Sequence, residues 1–230
     1  FPPVSAAARP FGFGGAPSTW PAAPGGRPPR PPPPPPLWLA AHRPRGLELA
    51  GRLADGWLPL GTTPSEYASG LAAVHAAAKA AGRDPAAITP AVYLRIVAAD
   101  DRDAAHAIID HSLLMRFIAL TRPAERFAHF GAEHPIGPGM TGIGRFLPMT
   151  YDRDAALALA DRVPVEVVRD SVIHGSPEEI ADQVDAFVRA GARHVQLVNM
   201  TPLADPGAAA ASNQRLDEVI GLLRARDAAR

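Results

Sequence analysis

Hydrophobic and polar positions fall into a recurring order from Leu37 onward and into none before it. Leu37-Trp38-Leu39-Ala40-Ala41 is a short apolar run, and His42-Arg43-Pro44-Arg45 is a polar turn. Leu47, Ala50 and Ala54 then recur at helical spacing, a pattern that breaks near Gly51. Asp55-Gly56 leads into a second apolar run, Trp57-Leu58-Pro59-Leu60. Strand, turn, helix, turn and strand in this order predict a βαβ unit. Asp55 is assigned to shaping the turn, not to catalysis.

The same grammar continues downstream. Thr63-Pro64-Ser65-Glu66 is a capping box with proline at the first helical position, and Tyr67, Leu71, Val74 and Ala78 supply the apolar stripe behind it. Gly82 is placed to end that helix, and Asp84-Pro85 to turn the chain. Residues 91–99 (AVYLRIVAA) predict a third strand covered on both faces. Arg95 is its exception, pointing toward a ligand or lying at a strand end or surface rim. Residues 103–120 and 123–130 read as helices, followed by a glycine- and proline-rich loop at 131–148, taken as an insertion over the active-site face. Residues 152–162 are helical, and 164–168 continue that helix or open another. Ser176, Pro177 and Glu179 form a second capping box, with Ile180, Val184, Phe187 and Val188 buried behind it. His194–Asn199 is a fourth strand, and Leu216, Val219, Ile220 and Leu223 stripe a last helix. Strands alternating with helices imply parallel pairing and right-handed crossovers. Four such strands make a small open sheet or half of an eight-stranded barrel.

Composition changes the picture mainly at the start. Residues 1–36 hold 14 of the 27 prolines, including the run Pro31–Pro36. Helix and sheet are excluded there, and polyproline II with flexible coil is expected. The segment is a linker, or a ligand for a proline-reading groove with Arg27 and Arg30 as its basic flank. The proposed division is therefore a proline-rich disordered segment at 1–36 and a half-barrel domain at 37–230. The formal net charge is zero, which gives no argument for nucleic acid or an anionic membrane. Without cysteine there is no disulfide, thiolate metal site or cysteine nucleophile. No apolar run approaches the roughly 20 residues that span a bilayer, and no signal peptide opens the chain. A cytoplasmic protein is the expectation. Because the chain starts at Phe1, a fragment is expected too.

Candidate chemistry is sparse. The turn after the first strand joins a strand end to a helix start, where unpaired N–H groups and the helix dipole suit an anion. Gly142-Ile143-Gly144 has neither a preceding strand nor dinucleotide spacing. Among eight histidines there is no HExxH spacing. His106 and His111 fall on different helix faces, while His134 and His174 are positioned to face an active site or to serve structural roles. No Ser-His-Asp constellation follows from spacing. The catalytic acid is not assigned, and no metal site is expected.

Two stretches resemble a known family. PPLWLAAHRPRGLELAGRLADGW matches the luciferase-like monooxygenase superfamily at Ala40-Ala41, Pro44-Arg45, Leu49-Ala50-Gly51 and Ala54-Asp55-Gly56. In particular it resembles the branch that uses the deazaflavin coenzyme F420. HGSPEEIADQVDAFVRAGARHVQLVN, from His174 to Asn199, matches the second signature. GAEHPIGPGMTG and ADRVPVEVV look like the phthiodiolone ketoreductase subgroup. The resemblance covers residue 37 to about residue 224. It implies an α/β fold: a partial TIM (β/α)8 barrel made of the last four βα units with a helical and loop insertion. It further implies an oxidoreductase moving hydride to or from a carbonyl or alcohol of a small or lipid-like substrate, with F420 or, alternatively, FMN as cofactor. Ala41, His42, Arg43, Pro44 and Arg45 then help hold the cofactor's phosphate tail, with Arg43 standing where the family has glycine. A truncated, weakly active chain is expected. The competing expectation is a non-enzymatic half-barrel that binds or assembles, including as a homo-oligomer through its open sheet edges.

Overall fold

Three of the strands run in chain order, β1 (Trp38–Leu39), β2 (Gly56–Trp57) and β3 (Thr89–Ala98), each parallel to the next. β4 (Ile173–Gly175) and β5 (His194–Asn199) both pair in parallel with β3. The computed structural model describes residues 35–229, so the expectations for disorder, polyproline II and the Arg27 and Arg30 flank lie outside the described residues. All five strands belong to one unit, Leu37–Arg230. Its helices are α1 (Pro44–Leu53), α2 (Pro64–Ala80), α3 (Arg102–His111), α4 (Leu113–Ala119), α5 (Ala124–His129), α6 (Arg153–Asp161), α7 (Val165–Asp170), α8 (Pro177–Arg189), α9 (Thr201–Ala204) and α10 (Ala209–Ala228). The architecture is the expected partial barrel, with α3 to α7 as the insertion between β3 and β4.

Register shows how β3 organises the sheet. Ile96 pairs with both Ile173 and Asn199, so β4 and β5 lie on opposite edges of β3. β2 pairs at Thr89 and Pro90, and β4 at Ile96 to Ala98, on the same edge. Between them only the bridge from Leu60 to Tyr93 holds that edge. Leu94 and Arg95 are therefore unpaired on that side, and the sheet has a gap there.

Side-chain alternation then sorts the faces. Val92, Leu94, Ile96 and Ala98 join one core with Ala50, Tyr67, Val74, Ile180, Val184 and Val219 from the helices. The opposite face carries Tyr93, Arg95 and Val97, and Val97 joins a second core made by the insertion. Near the start of the strands that face is closed by Trp38. A Cβ on its neighbour Gly56 would lie 2.5 Å from the indole, and the ring reaches His194 edge-on at 5.2 Å between centroids. Strands sit about 4.8 Å apart, so a flat sheet would hold β1 and β5 roughly 14 Å apart. The contact records how strongly the sheet curls.

Several expectations need correction. α1 does not break at Gly51. The glycine lies where α1 crosses α2, and a Cβ there would meet the Val74 carbonyl oxygen at 2.4 Å. Close backbone packing, not helix termination, explains it. The helix expected over 103–120 divides at Ser112, whose hydroxyl caps α4 by accepting from the Met115 N–H. Residues 164–168 open a separate helix, α7. β4 is an addition to the four expected strands, since three residues carry no legible alternation. The first two strands are shorter than expected, although backbone bonds from Leu58 to Leu39 and from Tyr93 to Pro59 extend their association. Both capping boxes form as expected, Thr63 with Glu66 and Ser176 with Glu179. The Asp55 carboxylate accepts from the Leu37 N–H at 2.7 Å and so pins the start of β1, a role the turn assignment did not include.

Candidate active site

The gap beside Leu94 and Arg95 opens into a cavity of about 460 Å³. Its walls come from the chain after β2 (Gly61 to Pro64), from Tyr93 to Arg95, from α7 and β4, and from α8. Gly61 turns the chain at φ +61°, a left-handed conformation that suits glycine, and its carbonyl accepts from the Arg122 guanidinium.

Arg122 is the buried charge of this site. It lies after α4 and is only 7% exposed. Burial pushes its pKa down, while the Asp170 carboxylate, 3.7 Å away, opposes that shift. Its Nε makes no hydrogen bond. Asp170, at the end of α7, is gripped by both Nε and Nη2 of Arg126, which raises the Arg126 pKa. One carboxylate thus faces two guanidinium groups. Arg95 lies in mid-strand opposite Val198, stacks over Tyr93 at 5.6 Å and lines the cavity. Its place in mid-strand rules out the strand-end alternative.

On the far wall His106 and His174 meet, Nε2 to Nε2 at 3.0 Å. Burial lowers the His174 pKa, and the His106 and Arg102 charges add to that effect. Arg102 binds Glu179 at 2.9 Å. The Glu179 carboxyl is held below its ordinary range by the Ser176 N–H and by Arg102. Asp110 is likewise lowered by its bonds from Arg169. His111 turns away, bonding the Ala107 carbonyl.

The other candidates separate from this cavity. His134 is buried within the insertion against Phe127, at 4.3 Å between ring centroids. Its Nδ1 accepts from the Ile136 N–H, and burial lowers its pKa. Gly142 to Arg145 forms a surface turn. Ala41, His42, Arg43, Pro44 and Arg45 lie at the neighbouring strand end, outside the cavity lining. Arg43 is the N-cap of α1 in extended conformation, with no side-chain cap bond and no acid in the first turn. Its guanidinium reaches the Thr141 carbonyl at 2.8 Å, tying the insertion loop to this turn. The Ala41 carbonyl accepts from the Trp57 indole at 2.9 Å, which fixes the end of β1. His42 has its pKa lowered by partial desolvation and by the Arg122 charge. Sequence reasoning missed Arg122, Asp170 and the partner role of His106, which come from the insertion. Among the described residues no group of three or more His, Asp or Glu is placed to hold a metal, and no helix is long and apolar enough to cross a membrane.

The chain is 39% identical over 173 residues to the phthiodiolone/phenolphthiodiolone dimycocerosates ketoreductase of Mycobacterium bovis, covering 75% of this chain and 45% of that protein. It therefore spans less than half the length of this curated relative. The F420-dependent tetrahydromethanopterin reductase of Methanopyrus kandleri superposes with TM-score 0.54 at 21% identity, over 71% of this chain and 44% of its own. A riboflavin lyase determined with modified FMN superposes with TM-score 0.55 at 18% identity, over 94% of this chain and 48% of its own. Residues 16–194 match the profile of the luciferase-like monooxygenases, and the chain belongs to that family.

Proposed function

We propose that this chain serves a deazaflavin-dependent oxidoreductase that exchanges hydride with a carbonyl or alcohol carbon, with F420 as the cofactor and FMN as the alternative. The observation that carries the reading is the arginine-bearing cavity just past the carboxyl end of β2, in a chain 39% identical over 173 residues to a curated ketoreductase. Strand carboxyl ends are where barrels of this kind place their chemistry, and about 460 Å³ lies within the range of small-molecule pockets.

The residues present fit an anionic, ring-bearing cofactor. The first turn of α1 has no acid, and proline at its start leaves the following N–H groups free of side-chain caps. Arg43 and Arg45 add positive charge there, while Arg95 and Arg122 supply it beside the cavity. We assign Ala41 to Arg45 to the phosphate tail and the cavity wall to the reacting end. When bound, the cofactor supplies the hydride chemistry. Arg122, paired with Asp170, holds the chain after β2 through the Gly61 carbonyl, and the insertion walls the cavity on one side.

Binding by these residues is weak, because β1 and β5 have no further strand partner among the described residues and the Tyr93–Arg95 face stays half-exposed. Fluorescence titration of the 230-residue chain with F420 and with FMN tests this. Weak F420 binding that Arg45→Ala reduces further is expected. Tighter FMN binding moves the chain to the flavin branch, and binding indifferent to both Arg43→Ala and Arg45→Ala sinks the tail assignment.

The open edges favour one second reading, a half-barrel that self-associates edge to edge. Light scattering that shows a monomer at all concentrations removes it.

A further inference from the structure

His106 on α3 and His174 on β4 stand 68 residues apart and meet in the cavity wall. Their protonation is not independent. His174 Nδ1 lies 3.1 Å from the Val172 carbonyl oxygen, which can only accept, so Nδ1 carries the hydrogen. Nε2 of neutral His174 is then a bare lone pair. The atom facing it at 3.0 Å, His106 Nε2, must carry hydrogen. A proton added to His174 would set two N–H groups head to head. A proton added to the pair goes instead to His106 Nδ1, which makes no hydrogen bond among the described residues.

The surrounding charges favour the same placement. α3 brings Arg102, Asp103, Asp110 and His111; α7 brings Glu166, Arg169 and Asp170; α8 brings Glu179; and β3 brings Arg95. Arg102 is neutralised by Glu179, and Arg169 by Asp110. Asp110 lies one helical turn beyond His106, on the same face of α3. His174 is buried, which disfavours a charge on its own ring.

We propose that His106 and His174 form a single-proton donor in the cavity wall, His106 giving its Nδ1 proton to a ligand oxygen while His174 fixes the ring through Nε2. The identity of that oxygen rests on the oxidoreductase function proposed for the chain: it is the alkoxide left when a carbonyl carbon accepts hydride. In that step a hydride from a reduced deazaflavin or flavin forms the C–H bond. The carbonyl π pair moves to oxygen, and oxygen takes the proton from His106 Nδ1. The imidazole pair is left neutral with its N–H···N bond intact. The reverse sequence serves alcohol oxidation.

Long-range proton–nitrogen NMR on the ¹⁵N-histidine-labelled full chain, from about pH 5 to about pH 9, tests the pair without cofactor. The expected result is a His174 resonance of the Nδ1–H tautomer throughout, with imidazolium-type nitrogen shifts on His106 alone. His174→Phe should release the His106 tautomer, whereas His106→Phe should leave that of His174 unchanged, because Val172 still holds it. An Nε2–H tautomer at His174, charge on His174, or two protons taken up independently would overturn the pair. So would shifts abolished by EDTA, which would place a metal ion between the rings. If the NMR result holds while neither F420 nor FMN binds, the pair stands and the alkoxide assignment falls.

Discussion

On one face of β3, Val92, Leu94, Ile96 and Ala98 meet α1, α2, α8 and α10 through apolar side chains. On the other, Tyr93 and Arg95 border a cavity that also reaches Leu94 and α8 through the gap in the sheet, and whose walls carry buried Arg122, half-buried Asp170 and a histidine pair. The first face obtains its stability from close packing. Trp57 stacks on Tyr67 at 5.0 Å, Tyr67 meets Phe187, and Gly70 leaves room for the indole, since a Cβ there would lie 2.7 Å away. The second face holds charges that must be paired to be tolerated. Each kind of substitution should therefore register on its own side: volume changes among the helices, charge changes along the insertion.

The largest expected effect is on the packed face. Trp57→Ala removes a fully buried indole and should cost about 4 kcal/mol, read as a lower urea midpoint. A loss below about 1 kcal/mol would mean that this face is not close-packed. On the opposite face, Asp170→Ala leaves Arg122 buried without its carboxylate and should cost about 3 kcal/mol. Adding Arg122→Met should recover part of that loss, and no recovery in the double variant would refute the charge-pairing account.

A smaller effect follows from pH. His134 and His174 have pKa values lowered below 6.5 by burial. The unfolded chain then binds protons more readily than the folded one. Their contribution is complete above pH 6.5 and is lost as pH falls below it. Asp110 and Glu179 add a second decline at lower pH, because their folded values lie below the ordinary carboxylate range. Urea midpoints should therefore fall from about pH 8 to about pH 5, and His134→Phe should flatten part of that slope. A slope unchanged by His134→Phe would remove that residue from the account. The smallest effect belongs to Arg43→Gly. Its exposed bond to Thr141 is expected to contribute under about 0.5 kcal/mol, yet hydrogen exchange should quicken at residues 141–146.

Legibility in the sequence follows the distance over which each feature is built. Thr63 with Glu66, and Ser176 with Glu179, lie within one helical turn, so residue type and spacing disclose both capping boxes. The apolar stripe from Tyr67 to Ala78 is equally local. Gly51 misleads because its reason lies on another helix, at Val74. The histidine pair and the Arg122–Asp170 contact join segments that only the folded insertion brings together. The Ser112 break has a local cue, a small hydroxyl residue able to cap, but strong helical spacing on both sides conceals it. Arg95, a charge in an apolar strand, is the clearest local sign of the cavity. By contrast, the expected turn at Ala41 to Arg45 lies beside that cavity without lining it.

Trp38 and Gly56 constrain how the chain can vary. The indole occupies the volume that any side chain at position 56 would need, so the two positions cannot enlarge independently. Gly56→Ala should be poorly tolerated beside tryptophan and better tolerated beside Trp38→Val. Lineages that change one position should change the other, making the pair a covarying unit set by size alone, with His194 as the surface against which that size is measured.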